Sequence, residues 1–250
     1  MVGLLSNGVN MTGAQIFENI RIICGRISHA AIRAGRKPED IKLIAVTKTT
    51  GIQQIKEAIG AGLRIFGESK VQEAKEKIED ARYMIHDADI QWHLIGHLQK
   101  NKAKTAVELF EMIHSIDSVE LAEIADKHAK KAGKTQKILL QVKLSSETSK
   151  YGILKNNLLE TIKEISEMKN LSIKGLMTIP PFFENQESAR PYFSELRTLR
   201  DTAETMGFNL PELSMGMTND FEVAIEEGAT MVRIGTAIFG ERKYCHKEAQ

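Results

Sequence analysis

Apolar residues fall along this chain in two alternating registers: short β-branched runs, and longer stretches in which they recur every three or four positions. The run at 41–50, Ile-Lys-Leu-Ile-Ala-Val-Thr-Lys-Thr-Thr, belongs to the first kind. In a strand, Ile44, Val46 and Lys48 share one face and Leu43, Ala45 and Thr47 the other, and both faces are mostly apolar. That is the pattern of a parallel strand covered on both sides, ending in a single amine. Thr50 with Gln53 reads as a capping box for a helix through Ile52, Ile55, Ala58 and Ile59 that stops at Gly60 and Gly62. Lys48 is thereby placed at a strand-to-helix junction, where α/β folds carry their chemistry.

The same alternation repeats. A helix is expected over 13–34, with Ile16, Phe17, Ile20, Ile23, Cys24 and Ile27 on its apolar stripe, after a loose leader at 1–12. Strands are expected at 63–69, 90–97, 112–116, 137–144, 171–178, 212–215 and 230–234. Helices follow at 71–78, from about 99, at 119–132, 157–168, 187–206 and 220–227. Ser69 with Gln72 reads as a second capping box, and Ser118 with Glu120 as a further cap. Eight strand-helix alternations over about 210 residues predict a closed (β/α)8 TIM barrel, with an open doubly wound sheet as the alternative. No linker composition interrupts the run, so 13–250 is expected to be one domain.

Composition narrows the function classes. With 34 basic and 33 acidic side chains the formal charge is +1, which gives no net field toward nucleic acid or an anionic membrane. The lysines near Lys100, Lys102 and Lys104 lack aromatic platforms and read as solvated helix faces. No apolar run approaches the roughly 20 residues of a membrane span. Cys24 and Cys245 form no metal or redox spacing, so the expected setting is a reducing cytoplasm with structural thiols.

In a barrel the C-terminal strand ends share one rim. Here it would carry Lys48, Glu68, Ser69, His97, Ser115, Lys143, Met177, Ser214 to Gly216, and Arg233 to Thr236. Ser214-Met215-Gly216 and Gly235-Thr236 combine hydroxyls with glycines, and they follow the seventh and eighth strands, where barrels commonly bind phosphate. A lysine opposite an arginine and a phosphate cradle suggests a phosphorylated carbonyl compound bound as an imine, because a desolvated amine near a cation is freed to attack a carbonyl. His93 and His97 would lie roughly 13 Å apart along one strand and cannot share a metal ion. They read instead as a packed imidazole and a rim hydrogen bond.

The motifs Ala-Val-Thr-Lys48-Thr, Phe66-Gly-Glu-Ser-Lys-Val-Gln-Glu73, Trp92-His-Leu-Ile-Gly-His-Leu-Gln-Lys-Asn-Lys102, Ser115-Ile-Asp-Ser118, Gly175-Leu-Met-Thr-Ile-Pro180, Leu213-Ser-Met-Gly-Met217 and Val232-Arg-Ile-Gly-Thr-Ala-Ile-Phe-Gly240 together resemble the pyridoxal phosphate homeostasis protein family. The resemblance implies a single barrel like the N-terminal domain of alanine racemase, with pyridoxal 5'-phosphate held on Lys48 as an internal aldimine. It further implies that Ser214, Gly235 and Thr236 hold the phosphate, that Arg233 lies near the pyridine nitrogen, and that Met177, Met215 and Gly216 surround the cofactor. Ser69 stands where the family usually carries asparagine, and is a further candidate contact. Lys150 matches a family lysine at the barrel mouth, readable as a secondary amine or as an anion-facing loop lysine.

An arginine at the ring nitrogen disfavours a pyridinium and weakens the ring as an electron sink, which argues against transamination and decarboxylation. A racemase would need a second acid-base group on the opposite face, which two-domain racemases draw from a further domain and a partner subunit. The expectation is therefore a non-catalytic carrier, a monomer, that buffers pyridoxal phosphate or delivers it to apo enzymes dependent on that cofactor. The alternatives are an amino-acid racemase and a Schiff-base lyase acting on phosphorylated sugars. Phe182 and Phe183 are expected to pack the long sixth loop, with a lid as the functional alternative.

Overall fold

The computed structural model describes residues 11–84, 89–145 and 151–240. Lys150 and Cys245 lie outside the described residues, as do residues 1–10 of the expected leader. Thr12 is the N-cap of α1 (Gly13–Arg33): its hydroxyl accepts from the Gln15 N–H at 3.3 Å, and Gln15 Oε1 accepts from the Thr12 N–H at 2.8 Å. Ile16, Ile20, Ile23, Ile27, Ala30 and Ala31 form the buried stripe of this helix. Phe17 and Cys24, expected on that stripe, are exposed, because the i, i+4, i+7, i+11 set turns them outward.

The strands are β1 (Lys42–Val46), β2 (Ile65–Glu68), β3 (Gln91–Leu94), β4 (Met112–Ile116), β5 (Gln136–Lys143), β6 (Ile153–Leu154), β7 (Leu171–Met177), β8 (Glu212–Met217) and β9 (Met231–Ile234). All pairings are parallel. β1 to β5, then β7, β8 and β9, follow one another around a ring that closes where β9 pairs with β1, and two-residue β6 adds outside it beside β5. This is the eight-stranded closed barrel that the strand count predicts. The helices are α2 (Ile52–Gly60), α3 (Val71–Met84), α4 (Ala103–Leu109), α5 (Val119–Lys131), α6 (Leu158–Ser166), α7 (Arg190–Thr205), α8 (Phe221–Glu226) and α9 (Thr236–Phe239). The last is a single turn, and α1 packs against α2, α8 and α9 to complete the outer ring. Among the described residues no helix is long and apolar enough to cross a membrane.

Alternation along the strands divides the core in two. Ile44, Met112, Leu139, Met177 and Met231 fill the barrel interior, while Ala45, Phe66, Leu213 and their neighbours pack outward under the helices. β8 runs two residues past its expected end because its register with β9 shifts: Ser214 pairs with Met231 and Met217 with Arg233. Gly216 turns this bulge at φ 88°, and a Cβ there would stand 2.6 Å from Ala224 Cβ and 2.9 Å from Phe221 Cα. The bulge carries the chain after Met215 toward the barrel mouth.

Gly25 sits exposed in the middle of α1 with ordinary helical geometry, and an added Cβ would meet nothing within 4 Å. Gly25→Ala is therefore expected to stabilise the fold by about 0.5–1 kcal/mol, read as a shift in the denaturation midpoint at constant slope. An unchanged or lowered midpoint would contradict this account of the helix.

Candidate functional site

The backbone after β1 turns sharply at Lys48. The Thr50 N–H donates to the Thr47 carbonyl at 2.9 Å, and Thr49, at the third position of the turn, has φ 63°, the left-handed conformation that a β-branched residue rarely adopts. Spending Thr49 on this turn moves the helix start onward. The N-cap of α2 is Gly51, whose N–H donates to Gln54 Oε1 at 3.4 Å, in place of the expected Thr50 and Gln53. Similarly, the first backbone bond of α3 runs from the Ala74 N–H to the Lys70 carbonyl, one residue beyond Ser69.

A polar network grips this turn from both sides. Lys77 Nζ on α3 donates to the Thr47 carbonyl, to Glu68 Oε1 at 2.8 Å and to Glu73 Oε1 at 2.7 Å. Glu73 Oε1 also accepts from the Thr49 N–H at 2.6 Å, and Glu68 Oε1 from the Thr47 hydroxyl at 2.7 Å. Glu68 is fully buried; burial raises its pKa, and the Lys77 ammonium opposes that rise. The residue expected at the rim thus lies beneath it, fixing the backbone on either side of Lys48. A strained turn persists when its surroundings determine it this fully, and such strain gathers at functional sites.

Above the turn opens a cavity of about 850 Å³ lined by Lys48, Ser69, Gly96, Phe182, Thr218, Arg233, Gly235 and Thr236, with Val46, Ile95, Ile179, Met217 and Asn219 between them. Arg233 forms its floor at 3% exposure. Its Nη1 donates to Ser214 Oγ at 2.6 Å and its Nη2 to the Thr178 carbonyl at 2.9 Å. Both partners are neutral. Burial lowers the arginine pKa to about 10, with Asp220 opposing that shift through its charge. At the wall, Gly235 lets the backbone pass close to β1: a Cβ there would stand 3.1 Å from the Val46 carbonyl oxygen and 3.2 Å from Val46 Cβ. The Thr236 hydroxyl donates to Thr218 Oγ1 at 3.2 Å, so two hydroxyls meet beside that glycine.

Of the residues expected at the site, Lys48, Ser69, Arg233, Gly235 and Thr236 share this cavity. Ser214, Met215, Gly216 and Met177 do not line it. Ser214 is fully buried below the floor, its Oγ also 3.0 Å from His114 Nδ1, and His114 Nε2 is 3.0 Å from His93 Nδ1. Met177 belongs to the interior cluster, Met215 packs outward, and Gly216 shapes the bulge. Thr218 escaped the sequence reading because the expected strand stopped at Met215; the bulge brings its hydroxyl into the wall. Ser115 is buried, away from the mouth. His97 and Lys143 line an adjoining recess of about 170 Å³, where His97 stacks on Tyr151 at 3.6 Å and lies 3.4 Å from Asp117 Oδ2. Phe182 is 79% exposed at the cavity edge, and Phe183 packs beside Tyr192.

The loops after β2 and β3 meet closely at this mouth. A Cβ on Gly96 would stand 2.2 Å from the Ser69 carbonyl oxygen and 2.8 Å from its carbonyl carbon, all backbone atoms. Gly96→Ala is expected to destabilise the fold by about 2 kcal/mol and to displace Ser69, read as a lower midpoint in urea at constant slope. Wild-type stability in this variant would show that the two loops are not held together.

The sequence profile of the alanine racemase N-terminal domain matches residues 22–243. The pyridoxal phosphate homeostasis protein of Aquifex aeolicus (strain VF5) is 45% identical over 228 residues, 91% of this chain and 98% of that protein. PipY of Synechococcus elongatus PCC7942, solved with pyridoxal phosphate bound, superposes with a TM-score of 0.80 at 36% identity, covering 90% of this chain and all of that one. Alanine racemase of Clostridium difficile 630 shares the fold at a TM-score of 0.69 and 14% identity, over 90% of this chain and 57% of the racemase. The chain belongs to the pyridoxal phosphate homeostasis protein family, built on the alanine racemase N-terminal domain.

Proposed function

We propose that this chain binds pyridoxal 5'-phosphate reversibly through Lys48 and serves to buffer or deliver it, without catalysing a reaction on amino acids. The observation that carries the reading is one cavity holding an amine, a buried guanidinium with only neutral partners, and two hydroxyls beside a glycine that a Cβ would crowd. These groups fit the cofactor's aldehyde, ring nitrogen and phosphate. When bound, the cofactor supplies an aldehyde that condenses with a primary amine and a conjugated ring that absorbs visible light. Lys48 supplies that amine from a turn whose backbone is fixed on both sides. Arg233, which has donors and no acceptor, would hold the ring nitrogen and disfavour its protonation. Gly235 and Thr236 would hold the phosphate, with Thr218, whose hydroxyl meets that of Thr236, beside them; Ser214, which the resemblance also named, accepts from Arg233. Ser69 lines the opposite wall, while Met177, Met215 and Gly216 support the site from behind.

A racemase needs two proton-transfer groups on opposite faces of its substrate. Among the described residues lining the cavity Lys48 is the one such group, while the imidazole of His97 and the phenol of Tyr151 are stacked on each other in the adjoining recess, an arrangement that favours the carrier. The sugar-phosphate lyase would use the same amine and phosphate wall; the family's relation to pyridoxal phosphate favours the carrier over it. The protein is read as a cytoplasmic monomer whose recipients are apo enzymes that use this cofactor.

The test is an absorption titration of the wild type with pyridoxal phosphate, followed by borohydride reduction and peptide mapping. A visible band, lost on reduction with a pyridoxyl group on Lys48, is expected, with no change in amino-acid chirality on incubation with the loaded protein. Absence of the band and of the adduct would overturn the reading and favour the lyase.

A further inference from the structure

Arg233 poses an electrostatic question. A buried guanidinium is usually matched by a carboxylate, since an unpaired buried charge is costly. Here the direct partners are a hydroxyl and a carbonyl. Behind the hydroxyl stand two imidazoles in series: Ser214 Oγ to His114 Nδ1 at 3.0 Å, then His114 Nε2 to His93 Nδ1 at 3.0 Å. Both rings are buried, and His93 Nε2, at the far end, is a buried nitrogen with no hydrogen-bond partner among the described residues.

Two proton arrangements satisfy the distances. In one, Ser214 donates to His114 Nδ1, His114 Nε2–H donates to His93 Nδ1, and His93 carries its proton on Nε2. In the other every step is reversed: His93 Nδ1–H donates to His114 Nε2, His114 Nδ1–H donates to Ser214, and the serine hydroxyl hydrogen is left over. The guanidinium distinguishes them. In the first, each dipole in the series turns its negative end toward the cation; in the second, each turns its positive end toward it. At the low dielectric of a barrel interior this difference is large, and aligned hydrogen bonds polarise one another. The first arrangement also leaves one group unmatched, the His93 Nε2–H, where the second leaves two, the serine hydroxyl hydrogen and the His93 Nε2 lone pair.

We propose that Ser214, His114 and His93 are positioning residues for Arg233: a one-way donor series, with both imidazoles neutral and protonated on Nε2, that holds the guanidinium by dipoles instead of by a carboxylate. Dipoles stabilise the charge without cancelling it. Asp220 acts on the guanidinium through its charge alone, its Oδ1 accepting from the Met217 N–H, so the positive charge stays largely available to a ligand in the cavity above, whereas a directly paired carboxylate would neutralise it. Burial agrees with neutral rings, lowering the pKa of His93 to about 4 and that of His114 well below its ordinary value. The structural part stands on the geometry alone; its consequence for the cofactor rests on the reading under Proposed function.

The experiment is nitrogen NMR on the protein without cofactor. The wild type is expected to show two neutral imidazoles with protonated Nε2 and bare Nδ1. A proton on Nδ1 of either ring, or an imidazolium, overturns the proposal without any variant being made. In Ser214→Ala the Arg233 Nη1 signal is expected to shift, Nη2 being still held by the Thr178 carbonyl, while Ser214→Thr keeps the wild-type pattern; identical signals in all three proteins overturn the positioning role. His114→Leu is then titrated with pyridoxal phosphate. A dissociation constant raised about tenfold, with Lys48 still labelled on borohydride reduction, is expected, and an unchanged constant overturns the link to the ligand. If the wild type itself binds none, the cofactor reading fails while the tautomer result still decides the series.

Discussion

Protein carrying Lys48→Ala is expected to stay colourless on mixing with pyridoxal phosphate, and to yield no pyridoxyl peptide from the 41–50 segment after borohydride reduction. The variant retains Arg233, Gly235, Thr218 and Thr236, so residual binding through the floor and the hydroxyl wall is expected, weaker by on the order of 100-fold, about 2.7 kcal/mol. The fold is not at stake. Lys48 is partly exposed, and the turn that carries it is held by Thr47, Thr49, Glu73 and Lys77, through backbone atoms that the substitution leaves in place. The denaturation midpoint of the variant is accordingly expected to lie within about 0.5 kcal/mol of the wild type. Lys48→Arg makes the same test with charge retained: a guanidinium is no substitute for the attacking amine. A visible band surviving in either variant would move the attachment to another lysine.

Most of the barrel was legible because each strand and helix announces its period locally. The 41–50 run places both faces of β1, and Ile16, Ile20, Ile23 and Ile27 place the inner face of α1. What the sequence did not disclose are features created by contacts between distant segments. Thr49 adopts its left-handed conformation because α3 supplies Glu73 and Lys77 to hold it, and this is why the α2 cap slips to Gly51. The bulge at Gly216 follows from the close packing of Phe221 and Ala224 behind β8, and beyond it Thr218, which the sequence did not single out, lines the cavity while Ser214 lies beneath its floor. Lys48, Arg233, Gly235 and Thr236 were legible for the opposite reason: they sit at strand ends, and in a parallel barrel every strand ends at the same rim. His93 reads in sequence as a packed imidazole and His114 is not singled out, since only the pairing of β3 with β4, His93 opposite Met112, sets the two rings on one face.

That pair gives the protein an acid sensitivity of calculable sign. In the unfolded chain a histidine titrates near 6.5, whereas in the fold burial holds His93 neutral down to about 4. Between these values the unfolded state binds the additional proton, so stability is fully present above about pH 6.5 and falls as pH drops toward 4. A gap of about 2.5 pH units at 1.36 kcal/mol per unit makes the loss about 3 kcal/mol for His93, and His114, held lower still, adds to it in the same direction. Glu68 works in the opposite sense. Burial raises its pKa, so the native state binds the proton first and acid relieves its cost. A comparison of wild type with His93→Gln cancels the Glu68 part, which is present in both, and leaves that of His93 together with its charge coupling to Glu111. Urea denaturation at pH 7.0 and at pH 4.5 is expected to show the wild type losing about 2–3 kcal/mol more than the variant over that interval. Equal losses in the two proteins would mean that His93 accepts a proton in the folded state, and with it the neutral series behind Arg233 would fall.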